Sequence, residues 1–415
     1  MSVDLCYYSP ATIGTANLTP LLLSACTLTT CLGHGLAHTL DGLRTGRSGL
    51  TPCAFESVQI ETWVGQVAAV DEQRLPAALR RYDCRNNRLA QLALEADGFA
   101  AAVRTAIQRY GRQRVGVFLG TSTSGILQAE LAYRRRDPQS GELPADFLYR
   151  HTHNPFSLAE FARDYFALEG PAAAVSTACS SSAKVFAAAA RLIACDGIDA
   201  ALVGGVDSLC LTTLYGFASL ELTSSRPCRP FDLRRNGISV AEGAAFALLE
   251  RLPAEVPPAS LLLLGYGESS DAYHMSAPHP QGLGARLAMA AALRSAGLTA
   301  PEIDYLNLHG TGTPSNDAAE GQAVVDLFGQ RGVACSSTKG ATGHTLGAAG
   351  AVEAAICGLA LTSGLLPGSP HTETPDPALS LDYLTTARNG RVRRVLSNSF
   401  GFGGSNCSLV FGLAP

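Results

Sequence analysis

Two kinds of segment alternate along this chain, and the alternation limits the folds that it can adopt. Short apolar runs recur at intervals, and longer stretches rich in alanine and leucine lie between them. Such alternation is typical of α/β layers, in which helices cover the faces of a buried sheet. The pattern predicts strands at 115–119, 172–176, 200–204, 245–249, 261–264, 303–308, 392–396 and 407–411. It predicts helices at 89–110, 180–195, 283–296, 317–328 and 348–361.

A proline-rich stretch marks a joint between two halves. The stretch PAEVPPAS, residues 253–260, has three prolines in eight positions, and proline interrupts both helices and strands. We therefore place one half at residues 1–256 and the other at residues 257–415. No short-period repeat is visible, which excludes a solenoid.

Composition and charge exclude several classes of protein. Hydrophobic residues make up 47% of the 415 residues and charged residues 16%, which excludes global disorder. A net charge of −4 gives no electrostatic support for nucleic acid or an anionic membrane as a partner. The 12 cysteines include no CxxC pair, so no zinc site or thioredoxin-like pair is indicated. We expect a reduced, cytoplasmic protein with no bound metal.

The N-terminal stretch is apolar but interrupted. No Asp, Glu, Lys or Arg occurs between Asp4 and Asp41, yet prolines and glycines break the segment. A helix that spans a bilayer needs about 20 mostly apolar residues. We therefore expect no membrane insertion, and we predict a buried strand within PLLLSACTL, residues 20–28, followed by a turn and a helix.

The stretch VSTACSSSAKVF, residues 175–186, places Cys179 where an extended run gives way to a helix. Backbone N–H groups and the helix dipole stabilise a thiolate at the first turn of a helix, so we expect a lowered pKa. A tight strand-to-helix turn also exposes a nucleophile, with small neighbours that admit a thin substrate. The alternative is structural, because free cysteine behaves mostly as a small core residue.

A histidine follows another predicted strand. In NLHGTGTPSND, residues 307–317, His309 ends the strand and enters a loop that contains glycines and a proline. The carboxyl ends of strands are where α/β proteins carry active groups. Thr311 and Thr313 alternate in this loop, so their hydroxyls are predicted to line one side of a narrow channel.

The stretch SSTKGATGHTLGAAGAVEA, residues 336–354, combines a lysine, a histidine and a carboxylate. Lys339 and His344 lie around glycines between a strand and a helix, and Glu353 lies within the apolar helix that follows. An unpaired buried carboxylate is costly, so we predict that Glu353 pairs with Lys339.

A glycine-rich stretch near the end of the chain, NSFGFGGSN at residues 398–406, contains Phe400 and Phe402. A loop of this kind can bring backbone N–H groups to an oxyanion while an aromatic ring gates the site.

The four motifs TACSSSA, NLHGTGTPSND, STKGATGHTLGAAGAVEA and NSFGFGGSN together resemble the β-ketoacyl-acyl-carrier-protein synthases, which are decarboxylating condensing enzymes. The blocks RPFDLRRNGISVAEGAAFALLE and SSDAYHMSAPHPQG extend the resemblance over nearly the whole chain. It implies a thiolase-like α/β fold, in which two related halves form a five-layered α/β/α/β/α body.

The resemblance implies a role for each motif. Cys179 would accept an acyl chain from carrier-borne phosphopantetheine, and no cofactor would be bound permanently. His309 and His344 would hold the malonyl thioester oxygen while carbon dioxide leaves. Lys339, paired with Glu353, would orient the histidines.

Further roles follow for the loops. The backbone N–H groups of Cys179 and Phe402 would form the oxyanion hole, Phe402 would also act as the gate, and Phe400 would support it. Thr311 and Thr313 would hold the pantetheine arm.

Departures from the family pattern leave the acyl substrate open between fatty-acid and polyketide or aryl-polyene chains. Thr123 stands where many fatty-acid members carry a bulky residue, and the resemblance places this turn in the acyl channel of a neighbouring subunit. Residues 131–160 differ from housekeeping members, and Ala241 replaces a common glycine.

The acyl carrier protein is expected to be acidic, so its docking needs basic residues. Arg134, Arg135 and Arg136 form the densest basic run, and Arg226 lies in a neighbouring motif block. The alternative is that this run is a solvated charged loop.

Two other activities remain to be weighed. A thiolase would use coenzyme A and a second cysteine, for which Cys407 is the candidate, although the paired histidines favour decarboxylation. A non-catalytic partner subunit typically lacks the nucleophile, which this chain keeps. The sequence leaves open a homodimer or a heterodimer with a homologue resembling a chain-length factor.

Overall fold

The computed structural model describes residues 17–415. Its strands are β1 Leu21–Thr30, β2 Gly33–His34, β3 Thr51–Pro52, β4 Trp63–Gly65, β5 Val115–Gly120, β6 Ala172–Val175, β7 Ala200–Asp207, β8 Val240–Ala241, β9 Gly243–Arg251, β10 Leu261–Ser270, β11 Tyr305–Asn307, β12 Ala334–Ser336, β13 Leu365–Leu366, β14 Asp382–Tyr383, β15 Arg388–Asn389, β16 Arg394–Gly401 and β17 Ser405–Leu413. Its α-helices are α1 Leu36–Thr45, α2 Arg85–Leu94, α3 Phe99–Tyr110, α4 Ile126–Arg134, α5 Tyr149–Thr152, α6 Phe156–Tyr165, α7 Ser181–Ala194, α8 Leu211–Ser219, α9 Leu283–Ala296, α10 Pro314–Phe328, α11 Lys339–Thr342 and α12 Ala349–Ser363.

The main sheet has two parts with the same topology. One part has the order β1-β9-β7-β5-β6, and the other has the order β10-β17-β16-β11-β12, with β14 at its edge. In each part the first two pairings are antiparallel and the next two are parallel. The two parts meet through a short antiparallel contact between β1 and β10.

Helices cover both faces of each part of the sheet. Helices α2, α3 and α6 pack on the outer face of the β1–β6 part, and α9 and α10 pack on the outer face of the other part. Helices α7 and α12 contribute to the apolar cluster between the two parts. This arrangement confirms the predicted five-layered α/β/α/β/α body.

The two central helices approach each other closely. A Cβ atom at Gly350 would lie 2.6 Å from the backbone nitrogen of Ala183, so only glycine fits at this contact. The backbone N–H of Ala351 also donates a hydrogen bond of 2.9 Å to Ser182 Oγ. Since α7 follows Cys179 and α12 carries Glu353, this contact fixes the two halves of the site relative to each other.

The predicted elements are found with shifts at their ends and one error. The predicted N-terminal strand is β1, and the helix predicted at 283–296 is α9. The single helix predicted at 89–110 is wrong, because α2 ends at Leu94 and α3 begins at Phe99. Between them, Asp97 and Gly98 adopt left-handed backbone conformations with φ of 54° and 71°, which a continuous helix cannot contain.

The proline-rich stretch 253–260 lies between β9 and β10. The division into halves at residue 256 stays a prediction.

One stretch among the described residues, Leu346–Ser363, has the length and apolar composition of a membrane-crossing helix, and 83% of it is buried. It consists of a 3₁₀ turn and α12. Because α12 lies in the central layer, its apolar composition is accounted for by packing within the protein.

Candidate active site

Cys179 lies in a tight turn that joins β6 to α7. Ala178, directly before it, has a left-handed φ of 51°, and α7 begins two residues after Cys179 at Ser181. The backbone N–H of Thr177 donates to Ser181 Oγ at 2.8 Å, so the serines after the cysteine brace the turn. The predicted strand-to-helix placement of Cys179 is therefore what the structure shows.

The two predicted histidines lie beside this cysteine. His344 Nε2 is 3.1 Å from Cys179 Sγ, and the rings of His309 and His344 are 5.3 Å apart at an angle of 83°. One ligating atom from each of the three side chains lies within 4.8 Å of the others, and all three residues are buried. The cysteine and the two histidines, which follow it by more than a hundred residues in the sequence, thus form one cluster.

Lys339 connects this cluster to Glu353. Its ammonium donates to Glu353 Oε1, to the backbone carbonyl of His309 and to His309 Nδ1, the last at 3.4 Å. An ammonium has three donors, so these contacts use all of them. The predicted pairing of Lys339 with Glu353 is present, and it places the positive charge behind the ring of His309.

Hydrogen bonds also define the tautomer of each histidine. The backbone N–H of Leu346 donates to His344 Nδ1 at 3.2 Å, and Lys339 donates to His309 Nδ1. Burial, and then the charge of Lys339, hold the pKa of both histidines well below their ordinary value. Each ring is therefore neutral, with its proton on Nε2 facing the cleft.

This proton arrangement does not suit a metal ion, although Cys179, His309 and His344 form a plausible ligand set by residue type. A metal-bound histidine usually donates its second N–H to an acceptor. Here both Nδ1 atoms face donors, so both Nε2 atoms present protons. The arrangement suits an oxygen that accepts two hydrogen bonds.

The expected lowering of the Cys179 pKa is not found. Burial raises the pKa of Cys179 to about 12, against the opposing effects of Lys339 and a hydrogen bond from the backbone of Phe402. The start of the helix lowers the pKa only through its nearest N–H groups. The apolar walls that bury Cys179 and raise its pKa come from segments of the whole fold. The resting side chain is therefore a thiol.

The stretch 398–406 forms a tight turn between β16 and β17. Gly401 lies against Cys179, because a Cβ atom there would be 3.2 Å from the cysteine nitrogen. The ring of Phe402 packs at 5.8 Å from that of Phe217, and the ring of Phe400 lies 6.0 Å from His309. The turn thus carries two aromatic rings to the site, and their supporting and gating roles stay predictions.

A cleft opens onto these side chains. Thr311 and Thr313 line it, with their hydroxyl oxygens 2.9 Å apart, and Ser315 and Asn316 lie beside them. Phe217 and Phe402 also line it. A slender polar chain threaded past the threonines would reach Cys179.

Cys407, the second cysteine that a thiolase would need, lies elsewhere. Its side chain is fully buried in the apolar cluster between the two parts of the sheet. It is not among the residues that line the cleft.

The structure does not bring Thr123 to this cleft. Thr123 is buried, its hydroxyl donates to Asp207 Oδ1 at 2.8 Å, and it accepts from the backbone N–H of Ser208 at 3.1 Å. Both hydrogen-bonding functions of the hydroxyl are thus used within the chain. A role in the acyl channel of a neighbouring subunit stays a prediction.

The arginines that are predicted to dock the carrier are all exposed, but some of them already bind other side chains of this chain. Arg134 donates to Ser57 and Arg135 pairs with Asp146 at 3.0 Å. Arg136 and Arg226 are exposed and pair with no carboxylate among residues 17–415. Part of the basic run is therefore neutralised locally.

Sequence reasoning missed three buried carboxylates that support the site. Glu320 accepts from the backbone N–H groups of His309 and Gly310, both at 2.8 Å. Asp317 accepts from Thr311, and Asp207 holds a loop after His344. For Asp317 and Glu320 a signal existed, because Asp317 is the last residue of the histidine motif and lies in the first turn of α10, and Glu320 follows it by three residues on the same helix.

A cysteine on a strand-to-helix turn, faced by two histidine N–H donors on a thiolase-like fold, defines a condensing enzyme. Comparison with known proteins identifies the family. The chain matches the beta-ketoacyl synthase N-terminal domain over residues 24–254 and the C-terminal domain over residues 261–373. It belongs to the β-ketoacyl synthases, acyltransferases that catalyse decarboxylating condensation.

Individual relatives agree with this family. A 3-oxoacyl-[acyl-carrier-protein] synthase 2 of Coxiella burnetii is 33% identical over 404 residues, which covers 91% of this chain and 95% of the relative. Among solved structures, one chain of the complex of the ketosynthase ApeO with its chain length factor ApeC, from Xenorhabdus doucetiae, is 39% identical with a TM-score of 0.86, covering 95% of this chain and 98% of that one. The ishigamide ketosynthase/chain length factor is 27% identical with a TM-score of 0.85, covering 95% and 99%.

Proposed function

We propose that this chain lengthens an acyl chain by two carbons, using malonyl-acyl carrier protein as the donor. In the first step the sulfur of Cys179 attacks the acyl thioester. A bond forms between Sγ and the acyl carbon, the bond to the carrier sulfur breaks, and the proton of the thiol leaves with the carrier thiol.

In the second step the malonyl thioester loses its carboxylate as carbon dioxide. The electrons of that bond form an enolate, whose oxygen accepts hydrogen bonds from Nε2–H of His309 and Nε2–H of His344. The enolate carbon then attacks the acyl group on Cys179, the bond to Sγ breaks, and a 3-oxoacyl thioester is released. The cysteine sulfur takes up a proton.

One observation carries this proposal. Both Nδ1 atoms accept hydrogen bonds, from Leu346 and from Lys339, so both histidines direct N–H donors into the space beside Cys179. Preorganised donors are worth most where negative charge develops away from water. A thiolase would instead need a second cysteine in the cleft, and Cys407 lies outside it.

The carrier would deliver phosphopantetheine, and no cofactor would stay bound. Thr311 and Thr313 support this part of the proposal, because their hydroxyls line the cleft that leads to Cys179. The backbone N–H groups of Cys179 and Phe402 would hold the oxyanion of the acyl transfer steps. Arg136 and Arg226 would attract an acidic carrier, with Arg134 and Arg135 contributing less.

The chain would act as the catalytic subunit of a dimer in the cytoplasm. ApeO is described as bound to a chain length factor, so a heterodimer is one form of this proposal and a homodimer is the other. The turn that contains Thr123 would border the acyl channel of the neighbouring subunit. A polyketide or aryl-polyene chain is the proposed substrate class, with a fatty-acid chain as the alternative.

Reconstitution tests this function. The purified chain, with and without a candidate partner subunit, is mixed with an acyl-carrier and either malonyl-carrier or acetyl-coenzyme A. We expect a 3-oxoacyl product and carbon dioxide from malonyl-carrier alone. A product made from acetyl-coenzyme A would indicate a thiolase, and an enzyme that releases no carbon dioxide would contradict the proposal.

A further inference from the structure

A buried carboxylate at the end of β7 connects the loops on either side of the site. Asp207 is fully buried, and its Oδ1 accepts from the hydroxyls of Thr121 and Thr123 and from the backbone N–H groups of Ser122 and Thr123 at 2.7–2.8 Å. Its Oδ2 accepts from the backbone N–H of Gly347 at 2.5 Å. One side chain therefore joins a turn of the first half to a loop of the second half.

The contact of Oδ1 with the 121–123 turn supports the backbone before Cys179. The turn held by Oδ1 includes Ser122, whose hydroxyl donates to the carbonyl of Ala178 at 3.3 Å. Ala178 directly precedes Cys179 and has a left-handed φ of 51°. The turn thus supports the backbone that presents the thiol.

The contact of Oδ2 with Gly347 supports the loop that follows His344. Gly347 follows His344 by three residues, and Leu346 between them has a left-handed φ of 51°. The N–H of Leu346 is the donor to His344 Nδ1. Because leucine rarely adopts this conformation, the loop needs an anchor, and the hydrogen bond from Gly347 to Asp207 supplies one.

The contact depends on the small size of Gly347. A Cβ atom at this position would lie 2.8 Å from Asp207 Oδ2 and 2.6 Å from Ser122 Oγ. The backbone of Gly347 lies within a 3₁₀ turn, so alanine is excluded by contact rather than by its own conformation.

We propose that Asp207 is a positioning residue for decarboxylation, which holds the loop after His344 so that Leu346 keeps the proton of His344 on Nε2. This inference rests on the proposed function. Asp207 touches no reacting atom and acts through Gly347 and Leu346. Three of the five donors to Asp207 are backbone N–H groups, which cannot accept, so the site is built for a carboxylate.

The substitution Asp207→Asn separates the two contacts. An amide keeps one oxygen for the four donors of the 121–123 turn, but its NH₂ group would then face the N–H of Gly347. Two N–H donors at that distance repel, so we expect the loop after His344 to move. The 121–123 turn near Cys179 keeps the amide oxygen as its acceptor. Gly347→Ala keeps the carboxylate, but its Cβ atom would clash with Ser122 Oγ as well as with Asp207 Oδ2, so it disturbs both contacts and does not separate them.

Two measurements test the inference. Carbon dioxide release is measured in a Cys179→Gln background, which lacks the thiol, and acyl loading is measured with Cys179 present. We expect Asp207→Asn to slow decarboxylation by about tenfold, a part of the 100- to 1,000-fold cost of deleting a preorganised donor, while loading of a short acyl chain changes little. Nitrogen NMR of labelled histidine, assigned with His344→Gln, should show that His344 loses its pure Nε2–H form.

A matched control is Asp199→Asn. Asp199 immediately precedes β7, whereas Asp207 ends it, and Asp199 pairs with Arg114 and Arg251 away from the cleft. We expect this variant to keep both partial reactions and the tautomer of His344. If Asp207→Asn leaves the tautomer unchanged, or slows loading and decarboxylation equally, the positioning role is wrong. If the parent enzyme releases no carbon dioxide, the proposed function fails, and the NMR result still tests Asp207.

Discussion

His344 Nε2 lies 3.1 Å from Cys179 Sγ, and the opposite nitrogen of the same ring accepts the N–H of Leu346. The ring therefore directs a proton toward the sulfur and the space beside it. A histidine with this tautomer donates a hydrogen bond and does not remove a proton from the thiol. The relationship supports the proposal that Cys179 carries the acyl chain and that the histidines bind the thioester oxygen.

The first prediction concerns acyl attachment. Cys179→Ala removes the sulfur that we propose forms the acyl-enzyme, so we expect no covalent loading and no condensation. Intact-protein mass spectrometry after incubation with an acyl-carrier measures the loading. Elongation by the purified variant would show that another residue is the nucleophile.

A second prediction concerns the reactivity of Cys179 with pH. Because burial raises the pKa of Cys179 to about 12, alkylation by iodoacetamide should keep rising between about pH 7 and 9.5, since the thiolate is the nucleophile. Peptide mass spectrometry follows the Cys179 peptide, with exposed Cys195 as the internal reference. A rate that reaches a plateau near pH 7 would instead indicate a thiolate stabilised by the helix.

The histidines give a third prediction. Their pKa values lie well below the ordinary value, so both stay neutral as the pH falls through about 6.5. We expect decarboxylation by Cys179→Gln to be flat between about pH 6 and 8, because protonation begins only at lower pH. An acidic limb centred near 6.5 would mean that a histidine with an ordinary pKa controls the step.

The buried pair of Lys339 and Glu353 gives a fourth prediction. Lys339→Met leaves the carboxylate of Glu353 without its cation, and breaking a buried pair costs about 3–5 kcal/mol. The double variant Lys339→Met, Glu353→Gln should recover much of this stability in urea denaturation, because no charge is left unpaired. It should not recover decarboxylation, since His309 Nδ1 has lost its donor. If the double variant recovered both its stability and its decarboxylation rate, the pair of Lys339 and Glu353 would have only a structural role.

Carrier docking gives the fifth prediction. Arg226→Glu should raise the KM for the carrier about two- to fivefold, as expected for an exposed charge pair worth up to about 1 kcal/mol, with little effect on a small thioester. Arg112→Glu makes the same charge change at an exposed site before β5 and should leave both KM values unchanged. An equal loss with both substrates would indicate a folding defect in place of a docking role.

Much of the site was predictable because its chemistry is carried by contiguous motifs. Cys179, His309 and the pairing of Lys339 with Glu353 each follow from a short stretch and from the cost of burying an unpaired charge. The α/β layering followed from the alternation of segments, and the thiolase-like arrangement of the layers followed from the resemblance of the motifs to a known family. The break between α2 and α3 was missed because a glycine inside a helical pattern does not by itself end a helix.

Two features of the site could not be predicted because the information that determines them is long-range. The pKa of Cys179 depends on walls contributed by both halves, and the helix position alone predicts the opposite direction. Thr123 and Asp207 lie 84 residues apart, so nothing near Thr123 in the sequence reveals that Asp207 uses its hydroxyl. Replacing Thr123 with Phe would therefore overfill a buried turn, and any change in product length would have to be separated from lost stability.

The division of labour between Cys179 and the histidines is tested most directly by carbon dioxide release from malonyl-carrier. Cys179→Gln is compared with the same variant that also carries His309→Ala or His344→Ala. We predict that Cys179→Gln still releases carbon dioxide although it cannot be acylated, and that either added histidine substitution lowers the rate by about 100-fold or more, the cost of losing a preorganised donor. Equal rates with and without the histidines would contradict the account.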